Sequence, residues 1–206
     1  MKITEEMLYE LAPNANEEIV KAIAATAERV LTEYEMDRPL RVQHLFAHIL
    51  TETGGLRRVE ENMNYSAQRL LQVFPKYFKS MAVAKRYERK PQEIANRVYG
   101  GRMGNVDPND GWLNRGQGLL QTTGRYNMEK LCEYMECESL DELRELLVDP
   151  ENMFECAVVN FIFNNAVAPA DRDDIVGSTK AVNGGSHGLK ERREYLAACK
   201  EVLVFE

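Results

Sequence analysis

Histidine is scarce, tryptophan occurs once, and no apolar run in these 206 residues approaches the ~20 that a membrane span needs. His44, His48 and His187 are scattered, and no Ser-His-Asp arrangement is legible. The four cysteines, Cys132, Cys137, Cys156 and Cys199, show no CxxC spacing, and no histidine cluster accompanies them. That argues against zinc and predicts reduced thiols, several of them in helix cores. Positive charge is the minority: 26 Lys and Arg stand against 33 Asp and Glu, a net charge of -7. Such a balance argues against broad nucleic-acid binding and offers no long-range attraction to an anionic polymer. The opening Met1-Lys2-Ile3-Thr4-Glu5-Glu6 has neither an apolar run nor a small-residue cleavage site. It predicts no secretory signal, synthesis in the cytoplasm and no stable membrane insertion. Internal repeats, low-complexity linkers and phosphate-loop spacing are also missing.

What is present is a globular composition, 44% hydrophobic and 29% charged, long enough for one packed domain or a main lobe plus a small one. Helical spacing runs from about 17 to 33, through Ile19, Val20, Ile23, Ala27, Val30 and Leu31. A second helix should follow Pro39, with Val42, Leu45, Phe46 and Ile49 on one stripe. Ser66 should cap a third, through Leu70, Leu71 and Phe74. Pro91 should open another that stops at Gly100-Gly101. Ser139 and Glu142 suggest a capping box for 140–148. After Asp149-Pro150, the residues Met153, Phe154, Ala157, Val158, Phe161 and Ile162 surround a helix that should be central and buried. The last helix covers about 189 to 203. Residues 100–124, rich in Gly, Asn and Asp, read instead as a long structured loop or small hairpin, a feature that in a compact domain is usually functional.

One segment carries chemistry. In His48-Ile49-Leu50-Thr51-Glu52-Thr53-Gly54-Gly55, Glu52 follows Leu45 by seven residues and Ile49 by three, which places it on the apolar stripe. Gly54-Gly55 ends the helix at once. Burial and the negative end of the helix dipole both favour a protonated carboxyl, as a general acid requires. The competing reading is a helix-end Glu paired with Arg57 or Arg58. His48, four residues earlier, shares the face and is expected to be a packed neutral imidazole. Glu60 and Glu61 follow a glycine break and can fold back, or they form a solvated acidic pair. Hydrolysis of a glycosidic bond with inversion uses two carboxyls roughly 6.5–9.5 Å apart, with water between.

Several stretches in register sharpen this. Glu52-Thr53-Gly54-Gly55, Val59-Glu60-Glu61-Asn62 and Asn64-Tyr65-Ser66-Ala67 are followed by Ile94 through Asn105. Asp110-Gly111-Trp112, Arg115 through Arg125, Asn183-Gly184-Gly185 and Arg192 to Tyr195 complete the series. Together they resemble family 19 chitinase-like glycoside hydrolases, phage endolysin branch, across most of the chain. The resemblance implies a mainly α, lysozyme-like fold with two lobes, a small β-hairpin or loop region and a central cleft, all of 1–206 forming one catalytic domain. It implies cleavage of β-1,4 links between N-acetylated sugars with inversion. Glu52 is then the acid and Glu61 the base, with Glu60 adjacent. Gln121 and Thr123 fall on positions that bind sugar and place the water, Asn183 on a sugar-binding position, and Arg192 on a cleft arginine that organises the carboxylates.

The sequence departs from the family pattern at Met63, where a water-holding hydroxyl can stand, and at Gln117 between two glycines. Thr122 and Asn164-Asn165 depart as well. Polar groups such as Gln121, Asn183 and Asn64 suit hydroxyls and N-acetyl groups. Tyr65, Trp112, Tyr99 and Tyr126 offer faces for pyranose rings, or pack in the core. The expected partner is a polysaccharide, peptidoglycan ahead of chitin, with no metal, cofactor or nucleic acid. The expected form is a monomer made in the cytoplasm that acts on the cell wall after release, as a prophage endolysin does. A chitinase and a catalytically silent glycan binder on the same fold remain as alternatives.

Overall fold

The structure, a computed structural model, describes residues 1–205. Those residues are mainly α-helical and contain no extended strand. The helices are α1 (Glu5–Leu11), α2 (Glu17–Glu33), α3 (Pro39–Thr53), α4 (Ala67–Val73), α5 (Met81–Tyr87) and α6 (Pro91–Tyr99). There follow α7 (Asp110–Leu113), α8 (Arg125–Tyr134), α9 (Leu140–Val148), α10 (Met153–Phe163), α11 (Val167–Asp171), α12 (Ile175–Asn183) and α13 (Leu189–Val202). No helix among the described residues is long and apolar enough to cross a membrane. The chain divides into two compact units. The larger holds residues 1–59, 118–121 and 131–206, and the smaller holds 60–117 and 122–130.

In the larger unit α3 is buried at every residue from Val42 to Leu50, so its surroundings are protein on nearly all sides rather than along one stripe. Pro39 opens it at a position where a missing N–H costs nothing. Phe46 packs on Phe154 of α10 with ring centroids 5.8 Å apart. Both rings are fully buried, and each such side chain contributes roughly 1.5–3 kcal/mol. As its sequence suggests, α10 is buried around most of its circumference. It begins at Met153, a turn later than Pro150, because residues 150–152 form a turn. Ser139 caps α9 by accepting from the Glu142 N–H at 3.2 Å. The return bond of the box is displaced by one residue: Glu142 accepts from the Glu138 N–H at 2.6 Å. All four cysteines are free, and burial pushes the thiols of Cys156 and Cys199 up to about 12.

The smaller unit has its own core. Met63, Leu70, Phe78, Ile94, Ala95 and Val98 form it, with Tyr65, Tyr99 and Trp112 packed against it. Ser66 caps α4 through the Arg69 N–H at 3.3 Å. Short α7 presses on α6 at Gly111, where an added Cβ would meet the Ala95 carbonyl oxygen at 2.6 Å. Only glycine permits that approach. The segment after α6 takes the looped form. Its one pair of reciprocal backbone bonds joins Gln117 and Thr122, at 3.1 and 2.8 Å. The loop is ordered by Asp110, which is buried and accepts from the N–H groups of Val106 and Asp107 at 2.9 and 3.0 Å. Arg125 grips the same carboxylate with two nitrogens, at 2.9 and 2.5 Å, and holds its pKa below the usual range.

Candidate active site

Glu52 occupies the last turn of α3, half-buried. The helix stops because three successive residues, Gly54, Gly55 and Leu56, are left-handed, with φ of 63°, 78° and 55°. Glycine adopts this freely; leucine is strained by it. The strain at Leu56 is held by its buried side chain and by Thr53, whose hydroxyl accepts from the Leu56 N–H at 2.8 Å and donates to the Ile49 carbonyl at 2.7 Å. The turn that carries Glu52 is therefore rigid.

The partner of Glu52 is neither Arg57 nor Arg58, which are exposed, but Arg192 of α13, 140 residues away. Arg192 is 2% exposed; its Nη2 donates to Glu52 Oε1, and its Nε donates to the His187 carbonyl at 3.2 Å. Its Nη1 lies 2.7 Å from His48 Nδ1. A guanidinium has no acceptor, so Nδ1 must accept and the His48 proton sits on Nε2. That proton goes to Ser178 Oγ at 3.0 Å. The Ser178 hydroxyl can then donate to His44 Nδ1 at 3.1 Å, and His44 Nε2–H to Asp173 at 3.0 Å. The partners thus assign a continuous chain, Arg192–His48–Ser178–His44–Asp173, running behind Glu52. Burial, then the Arg192 charge, pushes His48 well below its usual pKa, and burial lowers His44 against the pull of Asp173. Both imidazoles are neutral near pH 7.

In the smaller unit Glu61 is half-buried, and its partner is a phenol. The Tyr99 hydroxyl donates to Glu61 Oε1 at 2.8 Å and Oε2 at 2.9 Å. Burial and the Glu61 charge raise the Tyr99 pKa, so the phenol stays a donor. The Glu61 backbone N–H donates to the Gly116 carbonyl at 2.8 Å, and the Gly116 N–H donates back to Glu61 Oε2 at 3.3 Å, which helps set the carboxyl's direction. Glu60 is exposed and instead pairs with Arg115 at 2.5 Å. The Arg115 guanidinium stacks 3.9 Å above Trp112, so one face of the indole is occupied. Tyr65 meets Phe74 edge-on at 5.4 Å and packs on the core. Thr123 is half-buried and accepts from Asn127 Nδ2 at its carbonyl, 2.8 Å. Met63 is 1% exposed and belongs to the core, so that position supplies no hydroxyl.

Gln121 and Asn183 lie in the larger unit. Gln121 has φ of 48° and donates from Nε2 to the carbonyls of Val59 at 3.2 Å and Gly118 at 2.9 Å. Its amide braces the strand of chain leading to Glu60. Asn183 ends α12, donating to the His187 carbonyl at 3.0 Å and accepting from the Gly185 N–H at 2.9 Å. Within the larger unit, Glu52, Arg192 and Asn183 are joined through His187, whose carbonyl takes bonds from both Arg192 and Asn183. Sequence reasoning did not single out Ser178, His44 and Asp173 as the support behind Arg192, nor Tyr99 as the partner of Glu61. The first three carry no local signal. Tyr99 was legible only as an aromatic.

No family model matches the chain. The solved structure of chitinase C from Streptomyces griseus aligns with 98% of this chain and 92% of its own at a TM-score of 0.61 with 12% identity. A variant of that enzyme aligns over the same shares at 0.60. These likenesses concern the fold. A glycosyl hydrolase family 19 domain-containing protein of Haemophilus influenzae is 32% identical over 198 residues, covering 93% of this chain and 92% of the relative. With that identity carried over nearly the whole length of both chains, and with the mainly helical fold of chitinase C beneath it, this chain belongs to glycosyl hydrolase family 19 and is a glycoside hydrolase.

Proposed function

We propose that the chain cuts β-1,4 bonds in the glycan strands of peptidoglycan with inversion, Glu52 giving the proton and Glu61 activating the water. The roles follow the family resemblance, and the observation that supports them is the contrast in partners. Glu52 sits against a buried guanidinium. When it has protonated the leaving oxygen, Arg192 is in place to stabilise the carboxylate left behind. Glu61 sits against a neutral hydroxyl, which orients a carboxylate without neutralising it and leaves it able to take a proton from water. Glu60, tied to Arg115, is the weaker candidate for base. Gln121, Thr123 and Asn183 would contact sugar, and Tyr65 and Trp112 would present partly covered rings.

Peptidoglycan is favoured over chitin by the charge of the smaller unit, which carries twelve Lys and Arg against seven Asp and Glu. Peptidoglycan bears carboxylates along its length and chitin bears none. The similarity to a chitinase fold supports chitin as the second reading. The wall-acting role of an endolysin that is made in the cytoplasm as a monomer belongs to the same proposal. The deciding experiment digests purified peptidoglycan beside colloidal chitin, with fragment masses and early-product anomers read together. Release of muropeptides cut at a sugar–sugar bond, with the α-anomer formed first, is expected. Intact peptidoglycan beside dissolving chitin would move the substrate to chitin, and a β-anomer would reject inversion.

A further inference from the structure

The smaller unit holds a cleft of about 470 Å³ lined by Lys76, Tyr77, Lys79, Val83 and Arg97. Its cations lack counter-charges. Ion pairs elsewhere in this unit include Lys90 with Glu93, Arg115 with Glu60, and Arg125 with Asp107, Asp110 and Glu129. Among the described residues no carboxylate pairs with Lys76, Lys79, Arg97 or Arg102.

Two of these cations are nevertheless fixed in place. Arg97 donates to the Tyr77 carbonyl at 2.9 Å and the Tyr87 hydroxyl at 3.1 Å, with its guanidinium 4.9 Å from the Tyr87 ring centre. Arg102 donates to the Tyr77 hydroxyl and to the Val98 carbonyl at 3.2 Å. Lys76 and Lys79 are exposed, and Lys76 lies 5.7 Å over the Tyr77 ring. Holding several like charges about one tyrosine costs electrostatic energy that an anion would relieve. The arginines are pre-ordered, so little entropy is lost when one arrives.

We infer that this cleft binds carboxylate groups carried by the glycan substrate, and so distinguishes an acidic, peptide-bearing glycan from a neutral one. The inference rests on the peptidoglycan reading above and names the part of the protein that would make the choice. Arg97 and Tyr99 both belong to α6, on different faces of the helix, and Tyr99 holds Glu61, so the cleft and the candidate base are carried by one element. A strand anchored by its acid groups here is tethered to the unit that carries the candidate base.

The test is co-sedimentation of the intact protein with purified peptidoglycan, with peptidoglycan whose carboxyls have been converted to neutral amides, and with chitin. The K76E/K79E double variant is run beside the parent. Binding to untreated peptidoglycan should weaken with added salt. It should fall about tenfold or more in the double variant and equally on amidation. Binding to chitin and the thermal midpoint should stay unchanged. Equal binding of amidated and untreated peptidoglycan, or of variant and parent, would overturn the inference, and competition by polyphosphate on amidated material would assign the cleft to phosphate. If peptidoglycan is cut normally in those cases, the substrate reading survives the loss. If carboxylate-dependent binding is seen without any cutting, the cleft stands and the substrate reading falls.

Discussion

The two units of this chain hold their candidate carboxylates by opposite means. The larger unit places a buried arginine on Glu52 and supports that arginine with a chain of neutral histidines and a serine ending at Asp173. The smaller unit places two neutral donors on Glu61, the Tyr99 hydroxyl and the Gly116 N–H. Their overall charges are opposite as well: 26 Asp and Glu against 14 Lys and Arg in the larger, seven against twelve in the smaller. The net charge of -7 is thus an average over two regions of different sign. An inference from the average, that nothing here attracts an anionic polymer, does not hold for the smaller unit taken alone. Long-range attraction depends on where charge lies, and composition does not record position.

The sharpest way to break the comparison is to remove the carboxylates. Glu52→Gln is expected to lower turnover at least ~100-fold, the scale of a lost general acid. Glu61→Gln should cost more than Glu60→Gln. Steady-state rates on soluble glycan fragments decide this, and near-normal turnover in Glu52→Gln, or a reversed order at 60 and 61, would reassign the roles.

Next in size is Arg192→Met. It leaves Glu52 without its cation and His48 Nδ1 without its donor, in a site where Arg192 is 2% exposed. Removing one partner from such a network costs about 2–3 kcal/mol, less than for a fully buried pair because Glu52 reaches solvent. Denaturant melts should show that loss. An unchanged midpoint would mean that the ion pair contributes nothing net.

The histidines make the larger unit the acid-sensitive one. Both are held below the usual imidazole pKa, ~6.5, chiefly by burial. Below that pH the unfolded chain binds protons that the folded chain refuses, so the contribution to stability is complete above ~6.5 and is lost as pH falls from there. The slope approaches ~1.4 kcal/mol per pH unit for each histidine. Thermal midpoints from neutral to acidic pH should decline in the parent and flatten in His48→Gln; an equal decline in both would remove His48 from the account.

The smallest effect belongs to the tyrosine. Tyr99→Phe deletes one hydrogen bond to Glu61 and is expected to cost about 1 kcal/mol in stability and about tenfold in turnover. A loss as large as that of Glu61→Gln would give the phenol a direct part in the reaction.

The helices were legible where a cap or breaker adjoins a long apolar pattern: Ser66 caps α4, Pro39 and Pro91 open α3 and α6, and Gly54 closes α3. Six elements, α1, α5, α7, α8, α11 and α12, were not read from the sequence. Most are short, and α8 carries too many polar residues to show an apolar stripe. Thr4, Ser80 and Asp174 do cap α1, α5 and α12, but one cap on so short a segment does not make a helix without a core to accept it. In α3 the Gly54-Gly55 stop leaves Glu52 in the last turn as the sequence predicts, but the helix is enclosed nearly all round rather than along one stripe.

By itself, then, the sequence determined the helical punctuation, the position of Glu52 at a glycine stop and the family resemblance, because capping, turn chemistry and motif order are properties of near neighbours along the chain. Only the tertiary structure decided that Arg192 rather than Arg57 or Arg58 meets Glu52, that Tyr99 meets Glu61, and that positive charge gathers around Tyr77. Those pairings join residues far apart in the chain, and packing, which no local propensity encodes, brings them within hydrogen-bond reach.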